Sequence, residues 1–331
     1  MAASLRVIDG GLNDAPDRRV KVCVSERIEQ AESVAKLLSA LAPELTANVE
    51  QRHNASPGDA QTARLSDLRF SLFSDCQSDP ILWTSKLGAL RGTFRTLVDK
   101  LDVELIAICS DRVETLAQAL DLAKAAGRSS PCIIENSGEI AFAPSVGNAV
   151  HEIFGADAGL AQMGCLDAIA QFVCGRFPHD VVIARAETAI LLETLGAELI
   201  GATPLRARCW RYAEGISSAG IASQSDRDVE AFSIAADITA LADLLGAAGW
   251  RQASMSLSNA LIRTLEDNFH TDGIPTIMPY ARRVNDVEFI DAVTQRLGKL
   301  PKHAKPLVYA PDHSHRQAMG ARSSLQLVHS A

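Results

Sequence analysis

The sequence predicts an α/β fold, a parallel sheet covered by helices on both faces, and three observations predict it. Short, continuously apolar runs recur at Ile81–Thr84, Val103–Ile108 and Cys132–Ile134. Runs of that kind suit strands buried on both faces. Between them lies helical spacing: residues 113–126 place Leu116, Ala117, Leu120 and Ala123 on one face, and Gly127 stops the pattern. The composition is that of an ordinary globular chain, with 47% hydrophobic and 22% charged residues among 331.

The remaining elements follow in order. Residues 20–25 read as a strand and 26–42 as a helix capped by Ser25, with Ile28, Ala31, Val34, Ala35, Leu38 and Leu41 at helical spacing. This βα unit, residues 1–50, reads as an N-terminal extension, because about 50 residues make a marginal core alone. Residues 51–78 read as a flexible linker; 51–66 are polar, lack periodicity and contain Pro57-Gly58. Further on, Val181–Ile183 precedes a helix at 187–195, and Leu199-Ile200 follows as an apolar pair. A long helix is expected over 226–248, with Asp226 as its cap and Gly249 as its stop. A helix near 257–268, a strand at 274–278, a helix at 286–297 and a strand at 306–310 complete the pattern. The polar tail, 316–331, is expected to fray.

Charge and cysteine content narrow the function. Thirty-two basic against 40 acidic residues give a net charge of −8, which argues against a general nucleic-acid binder. No 18-residue apolar stretch suggests a membrane span, and the N-terminus lacks the pattern of a secretory signal. Seven cysteines, none in CxxC spacing, disfavour a disulfide framework or a zinc site and suit a reducing cytoplasm. Cys109 and Cys132 lie in apolar runs, as small buried hydrophobes do.

Ligands of open α/β sheets gather at the carboxyl ends of strands. The residues after the apolar runs are Ser85-Lys86-Leu87-Gly88-Ala89-Leu90, Ser110-Asp111-Arg112, Glu135-Asn136-Ser137-Gly138-Glu139-Ile140 and, late in the chain, Ala281-Arg282-Arg283-Val284-Asn285-Asp286. In this order they resemble the haloacid-dehalogenase superfamily, and within it the mannosyl-3-phosphoglycerate phosphatase branch. Leu82–Leu90 follows the shape of its first motif, Ser110 its second, Glu135–Ile140 its Glu-Asn-Gly turn, and Ala281–Asp286 its late acidic loop. The resemblance implies a Rossmann-like core built from 79–145 and 250–315, with an inserted α/β cap over 146–249. It also implies Mg²⁺-dependent hydrolysis of a phosphorylated sugar or sugar acid.

The departures from that pattern are chemical. Ser85 and Leu87 stand where the family has its nucleophilic and acid/base aspartates. Leucine moves no proton, and an unassisted serine is a poor nucleophile. Arg282 replaces a metal-binding acid, so Mg²⁺, which needs hard anionic oxygens, is doubtful here. The family's phosphate-binding lysine has no counterpart in Met255–Asn259. The resulting expectation is a catalytically impaired homologue, a pseudoenzyme that keeps a phosphosugar pocket. Ser110, Arg112, Asn136, Arg282 and Arg283 would form that pocket, and Asn285 and Asp286 are weak metal ligands. Each has a second reading. Ser110 can cap the helix at 113–126, the arginines can be solvated, and Asn285-Asp286 can cap the last helix. An active phosphatase using Asp111 or Asp286 is an alternative, as is a nucleotide-sugar glycosyltransferase-like or sugar-binding protein. His313 and His315 with His303 form a weaker metal candidate. Glu187 and Glu193 read as surface charges, and Arg206, Arg208 and Arg211 around Trp210 as a basic patch on the cap.

Overall fold

The computed structural model describes residues 19–24, 28–51, 68–72, 79–88, 97–98, 100–110, 114–136, 143–155, 160–213, 215–221, 223–224, 230–231, 233–271, 274 and 281–304. Ten strands form one sheet. In chain order they are β1 (Arg19–Val24), β2 (Thr46–Gln51), β3 (Leu68–Leu72), β4 (Leu82–Leu87), β5 (Val103–Ile108), β6 (Pro131–Glu135), β7 (Ala161–Gly164), β8 (Val181–Arg185), β9 (Ala207–Arg211) and β10 (Ile216–Gly220). Their spatial order is β2-β1-β3-β10-β9-β4-β5-β8-β6-β7. Two short pairs stand apart from it, β11 (Ser223–Gln224) with β12 (Glu230–Ala231), and β13 (Phe269–His270) with β14 (Arg282–Arg283). The α/β class agrees with the sequence; the all-parallel sheet does not. β1–β2, β5–β8, β8–β6 and β6–β7 pair in parallel, whereas β4 runs antiparallel to both β5 and β9, and β3 and β10 also pair antiparallel with their neighbours.

The expected division into extension, core and cap is redrawn by the same topology. β1, β2 and β3 are integral to the sheet, joined to it through β10. β7 to β10, expected in a separate cap, lie in that sheet too. Strands β2, β3, β9 and β10 went unassigned in the sequence because their apolar residues alternate with polar ones and are few. Leu68 and Phe70 of β3 show that alternation, both fully buried on one face.

Helices cover both faces. α1 (Ile28–Leu41), α2 (Glu114–Ala125), α3 (Ala143–Phe154), α6 (Ile234–Ala247), α7 (Arg251–Glu266) and α8 (Asp286–Thr294) lie on one side; α4 (Cys165–Val173) and α5 (Ala186–Leu199) lie on the other. The long helix expected over 226–248 begins at Ile234, after Ser233 rather than Asp226. The helix expected near 257 already begins at Arg251. The helix expected at 187–195 runs on to Leu199, so the first residue of the apolar pair closes α5. The expected strands at 274–278 and 306–310, most of the linker and the tail lie outside the described residues.

α5 sits close to the sheet because Gly196 has no side chain. A Cβ there would come within 2.5 Å of the Leu87 Cδ1 and 3.2 Å of Leu101. Leu87 is 1% exposed, so this position is a packing surface for α5. Replacing Gly196 with Val is expected to lower stability by about 1–3 kcal/mol, read as a fall in the urea midpoint with an unchanged slope.

On the opposite face, between α2 and α6, a line of charged groups separates two apolar clusters. Lys86 pairs with Asp243 at 2.9 Å. Arg128 pairs with Asp102 at 2.8 Å and lies 4.0 Å from Glu104. Glu104 is 5% exposed and one of its carboxylate oxygens accepts no hydrogen bond. Burial raises its pKa, against the pull of Lys86 and Arg128. A raised folded-state pKa means that this contribution is complete below the unfolded pKa and is lost as pH rises through the folded value. Glu104→Gln should therefore match the parent at pH 4 and exceed it at pH 7 by on the order of 1 kcal/mol, measured by chemical denaturation at both pH values.

Candidate functional site

Strand alternation sends two sets of side chains to the face covered by α4 and α5. The register aligns Lys21, Ser71, Ser217, Trp210, Trp83, Ala107 and Ala184 across seven strands, and beside them Arg69, Ala219 and Arg208 across β3, β10 and β9. α5 packs over β4, β5 and β8. α1 and α6, which pack on β1, β3 and β10, do so from the other side. The polar residues of these rows thus gather where the cover of α5 ends.

Arg208 anchors the covered side. Its Nε donates to both carboxylate oxygens of Glu193, at 3.2 and 3.0 Å, and its Nη2 completes the fork. The guanidinium carbon stacks 4.5 Å from the Trp83 ring centroid. Glu193 is 0% and Arg208 9% exposed, so the surface role expected of Glu193, and of Arg208 as part of a basic patch, is corrected to a buried ion pair. The sequence did carry a signal for Glu193. It stands four residues after the buried Ala189 and three before the buried Gly196, on the apolar stripe of α5. Arg211 is buried as well, on the opposite face, where Nη1 donates to Gln118 at 3.3 Å and burial lowers the guanidinium pKa. Arg206 donates to Thr194 at 3.2 Å.

Arg69 stands about 10 Å across the sheet from Arg208, two strand spacings away. It is half-buried. Its Nη2 donates to the Tyr212 hydroxyl at 2.9 Å and to the Ser217 hydroxyl at 3.3 Å, and Ser217 donates to Tyr212 at 3.3 Å. Among the described residues no carboxylate contacts this guanidinium, and its Nε and Nη1 have no hydrogen-bond partner. Such a group offers two parallel donors to a carboxylate or phosphate.

The residues expected to form one pocket are dispersed. Ser85 lies on the same face as Trp83, is 1% exposed, and its hydroxyl has no hydrogen-bond partner among the described residues. Because β4 is antiparallel to β5, Leu82 pairs with Ile108 and Leu87 with Val103. The Ser85–Leu87 end of β4 therefore meets the start of β5, while Ser110 follows its finish. Ser110 is half-buried there, its backbone N–H donating to Ile81 at 3.1 Å. Asn136 is exposed at the end of β6. Arg112 and Asp111 lie outside the described residues, as do His313 and His315. Arg282 and Arg283 are exposed and make up β14, which pairs with β13 away from the main sheet. Arg282 stacks on Phe269 at 5.3 Å.

Asn285 and Asp286 take the helix-cap reading. The Asn285 side chain accepts from the Glu288 N–H at 2.9 Å while Glu288 accepts from the Asn285 N–H at 3.2 Å, a reciprocal capping box at the start of α8. Asp286 accepts a hydrogen bond from Gln30 of α1. His303 engages through its backbone N–H, which donates to Glu266 at 2.9 Å. Among the described residues no group of three His, Cys, Asp or Glu side chains is placed to hold a metal ion, and no helix is long and apolar enough to cross a membrane.

Breaking the buried pair from one side should cost most. Arg208→Met leaves Glu193 charged and alone, and is expected to destabilise by roughly 3–5 kcal/mol. The double variant Glu193→Leu/Arg208→Met should recover most of that loss, since an apolar pair of similar volume carries no desolvation penalty. Denaturant midpoints of the three proteins test this directly.

No protein-family model matches the chain, and no curated protein matches it. Solved structures do. The TT0538 protein from Thermus thermophilus superposes with a TM-score of 0.61 at 15% identity, over 89% of this chain and 72% of that one. Isocitrate dehydrogenase from Methylococcus capsulatus superposes with a TM-score of 0.59 at 12% identity, over 84% of this chain and 99% of that one. At such identities these likenesses establish the fold alone.

Proposed function

We propose that this chain binds a small anionic metabolite, bearing a carboxylate or a phosphate, at Arg69 on the sheet face bordered by α5. The observation that carries the reading is the hydrogen bonding of Arg69. A half-buried guanidinium held by the two hydroxyls of Tyr212 and Ser217 has its charge unmatched by any described carboxylate. Ordering an arginine in this way costs side-chain entropy, and an anion seated on its remaining donors supplies a compensating interaction. The name of one structural neighbour adds support, since isocitrate is a small polycarboxylate. The phosphorylated sugar or sugar acid implied by the resemblance to phosphatases belongs to the same class of anion. Catalysis lies outside the proposal: no described carboxylate or imidazole contacts Arg69 or Ser217 to act as acid or base.

Thermal unfolding with isocitrate, citrate, inorganic phosphate and glucose 6-phosphate, each with and without Mg²⁺, tests the reading. One of them at about 100 times its dissociation constant should stabilise by roughly 2.7 kcal/mol, a rise of about 4 °C for a chain of this size. Arg69→Gln should abolish that rise while leaving the ligand-free midpoint within a degree or two. A rise that survives Arg69→Gln, or no rise with any of the four anions, overturns it. A rise that appears only with Mg²⁺ and glucose 6-phosphate would favour the narrower phosphosugar form.

A further inference from the structure

The anion site proposed at Arg69 has further polar side chains on the same face of the sheet. Val20 and Val22 of β1, and Leu68 and Phe70 of β3, are fully buried in the apolar cluster that includes α1 and α6. Strand alternation therefore turns Lys21, Arg69 and Ser71 to the opposite side. Ser71 pairs directly with Lys21 of β1 and with Ser217 of β10, which places each about 5 Å away. Arg69 stands two residues along the same strand, about 7 Å from Ser71, and diagonally across from Lys21 at about 7–8 Å. The Ser71 position is thus flanked by an ammonium-bearing, a guanidinium-bearing and a hydroxyl-bearing residue. The helices of this side lie further along the sheet, α5 over β4, β5 and β8 and α4 over β6 and β7.

This set exceeds the needs of a carboxylate. Ser71 is 8% exposed, and its hydroxyl has no hydrogen-bond partner among the described residues. A buried donor is therefore held unused beside Arg69, whose Nη2 is already fixed by Tyr212 and Ser217. A carboxylate brings one charge and two acceptor oxygens, which the remaining donors of Arg69 match without help. Lys21 and Ser71 supply a second positive charge and a further donor. A phosphate monoester carries a charge of about −1.5 to −2 and three acceptor oxygens on a single phosphorus. Ser71 lies between the two cations, where one tetrahedral group can meet all three residues. A dicarboxylate divides its charge between two ends and leaves the hydroxyl between them.

We infer that the anion bound here is a dianionic phosphate, free or as a monoester, held by Arg69, Lys21 and Ser71 together; the inference rests on the anion site proposed at Arg69. Calorimetric titration of the full chain with inorganic phosphate, glucose 6-phosphate, succinate and acetate tests it. Both phosphates should bind at least tenfold more tightly than succinate or acetate, and the ratio between the two phosphates separates free ion from ester. Lys21→Met, which keeps the apolar stem, should weaken phosphate binding at least tenfold, and Ser71→Ala several-fold, while Lys21→Arg stays within about threefold of the parent. Circular dichroism and the unfolding midpoint confirm that each variant is folded, and Ser71→Ala keeps the test open where a change at Lys21 disturbs the strand. Succinate or acetate binding as tightly as phosphate overturns the inference. Loss of phosphate binding in Arg69→Gln, with none in Lys21→Met or Ser71→Ala, also overturns it but leaves the anion site at Arg69 standing. Phosphate binding indifferent to all three replacements overturns both.

Discussion

β4 runs against both of its neighbours, and much of the molecule's chemistry is arranged by that one constraint. It joins the half of the sheet built on β1, β3 and β10 to the half built on β5, β8 and β6. It brings Trp83 alongside Trp210, and so provides the indole on which Arg208 rests. Its Leu87 meets the notch that Gly196 leaves in α5. A parallel β4 would have put Ser85, Lys86 and Leu87 at the same edge as Ser110. The antiparallel one sends them to the opposite edge, where Lys86 joins Asp243 and Glu104 instead.

Buried charge is handled differently on the two faces. Beneath α5, Glu193 and Arg208 neutralise each other in a forked geometry that satisfies several donors and acceptors at once. On the other face, charge is spread along Asp102, Arg128, Glu104, Lys86 and Asp243, and the shortfall in hydrogen bonds falls on Glu104. Arg69 differs from both. Its contacts are hydroxyls, which orient a guanidinium without cancelling it.

What the sequence disclosed follows the reach of each signal. Apolar runs such as Val103–Ile108, and helical stripes such as that of 114–125, are local, and they were legible. The cap of the last helix was legible too, because Asn285 and Glu288 stand three residues apart. Strand direction is not local: nothing in Leu82–Leu90 tells which way its neighbour runs, so a motif-like string could be matched to an edge it does not occupy. β9 was obscured for another reason. Two arginines within the five residues of Ala207–Arg211 suggest a solvated surface, and only the partners Glu193 and Gln118, 15 and 93 residues away, make their burial intelligible. Arg69 lay in a stretch with too little periodicity to assign, and its significance rests on Tyr212 and Ser217, contributed from well over a hundred residues further on.

The pairing of β3 with β10 has a consequence for biosynthesis. β1, α1, β2 and β3 leave the ribosome well before β10, yet β3 borders that strand, which begins only at Ile216. At ordinary elongation rates β3 waits roughly 7–30 s for its neighbour. During that interval the outward edge of β3 is an unprotected template for other nascent chains.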